Sequence, residues 1–252
     1  MSFKHVLLAA AVVAGGLAGS LTAAHAQSEA RTALIIGNGG YSYSKLDNPV
    51  NDARDMADAL RGAGFEVILK TDANQSGMKD AIHSFGSSLK TKSGVGLLFY
   101  AGHGVQLNGE NYILPLGERP SSEAALKNGA VTAAEAVDAM TAARNGLNIV
   151  ILDACRDNPL QAGTTRGLSR IDSSSSLFVS FSTSPGEVAL DGSGRNSPYT
   201  SALLRHLDAD DDIAVVLRRV RQDVLRGTRN RQEPWEYGSL VGDQLVISRL
   251  GR

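Results

Sequence analysis

The chain holds one cysteine, Cys155, at the end of an apolar run in "NIVILDACRDNP" (148–159). A second run, "VGLLFYAGHGVQ", ends on His103, set between Gly102 and Gly104. A thiol and an imidazole are the two groups a nucleophilic hydrolase needs. A free thiol has a pKa of about 8.5 and is mostly protonated at neutral pH. An adjacent imidazole takes the proton or, as imidazolium, stabilises the thiolate. Attack on a carbonyl then places negative charge on its oxygen, which N–H donors must meet. The amides of Gly104 and Cys155 each follow a strand end and suit that oxyanion hole, and Gly104 puts no side chain in the substrate's way. A lone cysteine is otherwise a small core residue. Composition alone favours that reading; the glycine-flanked histidine and the matching run ends favour the nucleophile.

For the two residues to meet, their runs must be neighbouring parallel strands. Five apolar runs read as buried strands: 32–37, 65–69, 95–100, 148–153 and 176–182. Continuous apolar strands fit a parallel sheet covered on both faces. Amphipathic segments lie between them. Ala53, Met56, Ala57 and Leu60 share a face over 51–62, and Met78, Ile82, Phe85 and Leu89 share one over 76–90. Thr132 and Glu135 form a capping box. Ser197-Pro198 reads as an N-cap with proline at the first helical position. Asp212 opens a helix with Ile213, Val216, Leu217, Val220 and Val224 inward. The alternation predicts a three-layer α/β/α fold on a mostly parallel sheet of about six strands. Two long loops remain, 156–176 and 183–197, and the second follows a strand end, where open α/β sheets keep their sites.

Residues 1–26 read as a secretory signal peptide. Lys4 and His5 precede the apolar stretch 6–21, and Ala24-His25-Ala26 supplies a small-x-small cleavage pattern. That stretch is short of the roughly 20 residues a membrane span needs. The remainder, 27–252, suffices for a single domain. The expected location is the periplasm or the extracellular space. One cysteine cannot form an intrachain disulfide, so the core alone must hold the fold. A net charge of −1 argues against bulk nucleic-acid or membrane-surface binding. Six arginines crowd 218–231; acids at 208 and 210–212 precede them, and a solvated helix face accounts for them better than a nucleic-acid patch.

"FYAGHG" together with "LDACRDNP" resembles the caspase-like cysteine peptidases, the clan of caspases, metacaspases and their bacterial relatives. Cys155 follows His103 by 52 residues, a separation already known for caspases. "ALIIGNGGY" and "LDNPVNDARDMADALRGAGFEV" resemble the family's first strand and helix. "FSTSPGEVALDGSGRNSPYTSALL" and "RQEPWEYGSL" resemble its later loop, helix and C-terminal segment, so the likeness spans about 32–247. It implies that His103 and Cys155 are the catalytic pair and that Gly104 helps form the oxyanion hole. It also implies that Asp153 and Asp52 match two aspartates with which metacaspases hold a basic P1 side chain, a pairing that charge-assisted hydrogen bonds would favour. Against the pocket role, Asp52 also suits a helix N-terminus and Asp153 a polar strand end. The caspase signature has Gln at the position of Asp153, which points away from cleavage after Asp. Ala101 stands where many metacaspases have Ser. The calcium-binding acidic cluster of many metacaspases is not recognisable, "NGENYILPLGERP" offering only Glu110 and Glu118, so no metal and no cofactor is expected. The loop 156–176 carries Arg166 and Arg170, where self-cleavage in the manner of the family would fall.

The leading expectation is therefore an exported cysteine endopeptidase with a Cys–His dyad and a preference for Arg or Lys at P1, acting on protein or peptide substrates. The alternative is a catalytically silent interaction module on the same fold. A third reading takes "IIGNGGYS" as a phosphate-cradling loop; it lacks the lysine and spacing of a nucleotide fingerprint and ranks last. Oligomeric state is not legible.

Overall fold

The computed structural model describes residues 30–92, 94–154, 177–238, 246 and 247. The chain begins with β1 (Ala30–Gly37), α1 (Pro49–Gly62), β2 (Glu66–Thr71), α2 (Gln75–Lys92) and β3 (Gly94–Gly102). It continues through β4 (Gly104–Leu107), β5 (Glu110–Ile113), α3 (Glu123–Gly129), β6 (Val131–Thr132), α4 (Ala133–Ala142) and β7 (Leu147–Ala154). After β8 (Leu177–Phe181) come α5 (Pro198–His206), α6 (Ile213–Thr228) and β9 (Trp235–Gly238).

The main sheet has six strands in the order β2-β1-β3-β7-β8-β9, parallel except for β9. This is the expected three-layer arrangement. Leu34, Ile36, Leu98, Val150 and Leu152 point toward α2 and α4. Their neighbours Ala33, Ile35, Leu97, Phe99, Ile149 and Ile151 point toward α1, α5 and α6. Both faces are covered, so β3 is buried at every position and shows no polar alternation. The five strands and the five helix signals in the sequence all appear, with α1 starting two residues early at Pro49. The Thr132–Glu135 capping box forms in both directions. Ser197 and Asp212 each accept a backbone N–H at their helix N-termini.

The structure adds a second sheet, β4-β5-β6, with its own small core of Tyr41, Val105, Leu107, Tyr112, Leu114 and Leu126. Asn108 and Gly109 both take positive φ, 52° and 82°, in the β4–β5 turn. An Asn-Gly pair between short apolar runs is a hairpin signal, and it was legible in "VQLNGENYI". This sheet sits directly after His103 and fixes where that residue stands.

Among the described residues, no helix is long and apolar enough to cross a membrane. The signal-peptide reading of residues 1–26 lies outside them.

Candidate active site

Three strands end together. In register, Gly37 pairs with Ala101, and Gly102 pairs with Ala154. His103 is the residue after Gly102, and Cys155 is the residue after Ala154. Cys155 lies outside the described residues, but the two residues that precede the candidate pair are direct partners on adjacent parallel strands.

Gly102 makes the turn that frees His103. Its φ of +150° suits glycine, and a Cβ there would stand 2.7 Å from the Tyr100 hydroxyl and 2.9 Å from that of Tyr41. Those hydroxyls grip the His103 backbone. The His103 N–H donates to Tyr41 Oη at 3.2 Å, and Tyr100 Oη–H donates to the His103 carbonyl at 2.7 Å. Tyr41 in turn donates to the Leu114 carbonyl at 2.8 Å. Burial pushes both phenols far above their ordinary range, so they stay neutral hydroxyls. The imidazole is packed too, although its sequence neighbours are glycines. The Tyr41 ring lies 4.5 Å away between centroids, and the Tyr43 ring stacks at 5.9 Å.

His103 Nε2 lies 2.7 Å from the Ser44 carbonyl oxygen. A carbonyl only accepts, so this contact assigns the ring proton to Nε2 and leaves Nδ1 with the lone pair in the neutral ring. The sequence reading found no third group to orient this imidazole. The structure supplies one from the backbone, where no side-chain pattern could reveal it. Gly104, buried in β4 opposite Ile113, directly follows the imidazole.

Beside these strand ends lies a narrow slot of about 30 Å³, lined by Leu46, Asp52, Ala101, Asp153, Asp191 and Ser197 among others. Asp52, in the first turn of α1, and Asp153, near the end of β7, both line this slot, the two acids that the family resemblance paired. Close approach of β1 and α1 makes this possible. A Cβ on Gly37 would stand 2.2 Å from the Pro49 carbonyl oxygen. Ser197, the α5 N-cap, joins the two acids. Its N–H donates to Asp52 Oδ1 at 3.0 Å, and its hydroxyl donates to Asp153 Oδ2. Thr200 Oγ1 also donates to Asp153 Oδ2, at 2.8 Å. Desolvation, and then the neighbouring charge of Asp153, push the Asp52 carboxyl up to about 8. Burial raises Asp153 as well, against the opposing bonds from Ser197 and Thr200. Ala101 also lines the slot and brings no hydroxyl to it.

The long loop 183–197 is strapped to the N-terminal end of α1. Asp191 accepts the N–H groups of Asp47 at 2.7 Å and Asn48 at 3.2 Å, and Arg195 pairs with Asp55 at 2.7 Å. Asp191 brings a third carboxylate to the slot. The sequence reading missed it because loop length says nothing of which side chain turns inward.

Gly39 and Gly40 do not form an open anion cradle. Both amides donate to Asp72 Oδ1 at 2.9 Å, so a carboxylate of the chain already fills that turn. Among the described residues, no three or more His, Cys, Asp or Glu side chains are arranged so that they could hold a metal ion. In the arginine-rich segment, Arg219 pairs with Asp211, Arg221 with Glu236 and Arg226 with Asp223. Arg166 and Arg170 lie outside the described residues.

Residues 30–245 match the model of a family described as the caspase domain. The chain is similar to the human mucosa-associated lymphoid tissue lymphoma translocation protein 1, with 28% identity over 198 residues, 77% of this chain and 24% of that protein. Its mouse homolog matches with 28% identity over 77% of this chain and 23% of its own length. The chain therefore spans about a quarter of the length of these curated relatives. Among solved structures, caspase-1 from Spodoptera frugiperda superposes with a TM-score of 0.66 at 18% identity, covering 87% of this chain and 90% of that one.

Proposed function

The chain belongs to the caspase-domain family, and on that premise we propose that it is an exported cysteine endopeptidase that cleaves after Arg or Lys. The observation that carries this reading is the pairing of Gly102 with Ala154 beside a slot holding Asp52 and Asp153. It sets His103 and the start of the segment bearing Cys155 at adjacent strand ends, next to two buried acids.

In this reading Cys155 Sγ, its proton drawn by His103 Nδ1, attacks the carbonyl carbon of the scissile bond. The oxygen takes up negative charge and meets N–H donors, those of Gly104 and Cys155 being assigned to it. His103 then passes the proton to the departing amine, leaving an acyl-enzyme. Water, deprotonated by His103, attacks the thioester carbonyl and frees the acid product and the thiol. The Ser44 carbonyl holds the ring in the tautomer this requires. A cationic side chain entering the slot would have its charge met by the buried carboxylates of Asp52 and Asp153. Arg166 and Arg170 are the positions at which the enzyme would cut itself.

The test is hydrolysis of fluorogenic peptides with Arg, Lys or Asp at P1 by the mature protein, beside Cys155→Ala and His103→Ala. Cleavage after Arg or Lys, lost in both variants, is the expected result. Cleavage after Asp would overturn the role given to the slot. No cleavage by a folded protein with an intact thiol would favour a silent interaction module.

A further inference from the structure

A second and larger cavity, of about 310 Å³, is lined in part by Tyr43, in the loop after β1. Its walls include Tyr43, Leu114, Leu116, Pro120 and Ala125. Leu114 is buried, and Leu116 is half-buried with its N–H fixed to the Ala73 carbonyl at 2.9 Å. Gln75 and Ser121 also line it, and Glu118 and Arg119 stand exposed, one of each charge, so an apolar wall is set among polar groups with no net charge. The volume falls in the range of pockets that take a defined ligand group, about 300–1,000 Å³. Apart from Tyr43 and Leu114, which brace the His103 segment, these residues touch neither the candidate pair nor the acidic slot.

Its position relative to His103 identifies an occupant. Tyr43 forms part of the cavity wall and stacks on the His103 ring. The acidic slot is lined instead by Leu46 and Pro49, farther along the same loop. Given the cleavage proposed above, on which this inference rests, the P1 side chain lies in the slot and the leaving nitrogen must reach the imidazole. The substrate chain after the scissile bond therefore departs on the imidazole side. The Tyr43 ring centre stands 5.9 Å from that of His103 and an extended chain advances about 3.3 Å per residue, so Tyr43 is within reach of the first two residues after the bond.

We infer that this cavity is a primed-side specificity pocket. It takes a large apolar or aromatic side chain from one of the first two substrate residues after the cleaved bond. The natural substrate class is then narrower than a basic P1 residue: a polypeptide with Arg or Lys followed within two positions by a residue such as Leu or Phe.

The test uses internally quenched peptides with Arg at P1 that differ only in the two following residues, Gly-Gly against Gly-Leu, Leu-Gly and Gly-Phe. An Arg coumarin amide, which has no residue after the cleaved bond, runs alongside. Burial of a whole apolar side chain should raise kcat/KM about ten-fold or more over Gly-Gly. In Ala125→Trp, whose indole fills the cavity, that ratio should fall to about one. The ratio is taken within each variant, so a general change in activity divides out. Leu116→Asp provides an independent second variant with the same expectation. If the coumarin amide is cut but the Leu, Phe and Gly peptides are cut equally, the pocket assignment fails and the peptidase reading stands. If the ratio is high but unchanged in both variants, the preference arises elsewhere and the assignment fails. If neither coumarin amide nor peptide is cut, the peptidase reading falls and this inference with it.

Discussion

Replacing Asp52 with Asn should stabilise the fold at neutral pH while weakening the proposed activity. Asp52 is buried, its carboxyl is pushed up to about 8, and its ordinary value is near 4. Between those values the folded state holds a proton that the unfolded chain releases. The folded state thus binds more protons, and unfolding free energy falls as pH rises through the window. One proton corresponds to about 1.4 kcal/mol per pH unit. From pH 5.5 to 7.5 the loss approaches about 2.7 kcal/mol, an upper bound because Asp153 shares the site. Asn keeps an oxygen to accept the Ser197 N–H but does not titrate. Urea unfolding of wild type and Asp52→Asn from pH 5 to 8.5 should show curves that diverge as pH rises, the variant the more stable at pH 7.5. Hydrolysis of Arg peptides should fall in the same variant by about ten- to hundred-fold, the size of a lost hydrogen bond to a charged group. Parallel stability curves, or a variant less stable at every pH, would refute the claim that the slot keeps a carboxyl protonated.

Other outcomes test the frame around His103. Tyr41→Phe removes the acceptor for the His103 N–H and should cost about 1–3 kcal/mol in denaturant unfolding; kcat should fall with little change in KM, since the slot is untouched. Gly102→Ala forces a Cβ to within 2.7 Å of the Tyr100 hydroxyl at φ +150°. It should destabilise by more than about 2 kcal/mol and lower kcat, read by urea midpoint and peptide hydrolysis. Met56→Ala, fully buried between α1 and the sheet, should cost about 2–5 kcal/mol in the same unfolding assay. Arg195→Ala removes a solvent-screened pair whose arginine side chain is 66% exposed; its urea midpoint should stay indistinguishable from that of wild type.

The layers were legible because burial writes itself into sequence. β1, β3 and β7 are covered on both faces and read as unbroken apolar runs, while α1 and α2 repeat their apolar residues at helical spacing. His103 was legible for a different reason, since a glycine on either side of a histidine after such a run has little use in a core. The backbone partners of His103 were not legible. Any residue at position 44 offers a carbonyl, so nothing in the identity of Ser44 announces its contact. Asp191 was hidden for a related reason: its place at the slot depends on how a fifteen-residue stretch, 183–197, folds back onto the start of α1. The small sheet was within reach, because Asn108-Gly109 is a turn signal, but strands of two to four residues carry too little period to stand out.

The acidic slot solves a problem that its own composition creates. Two buried carboxylates beside a third could not all be ionised in an empty cavity without a large desolvation and repulsion cost. The fold meets that cost in two ways. Ser197 and Thr200, at the positive end of α5, donate to the acids, and the raised affinity of Asp52 for its proton lets the empty slot remain partly neutral. An arriving guanidinium or ammonium reverses the balance, favouring loss of that proton and a charge-assisted bond in its place. An apolar P1 side chain gives no such exchange, and an acidic one adds a further negative charge to the cluster. On the proposed reading, discrimination would therefore come from the protonation state of the site as well as its shape. Apparent affinity for Arg peptides should rise with pH until Asp52 ionises without help, and level off above about 8. A KM for Arg peptides that is flat from pH 6 to 8.5 would mean that the cation does not enter this slot.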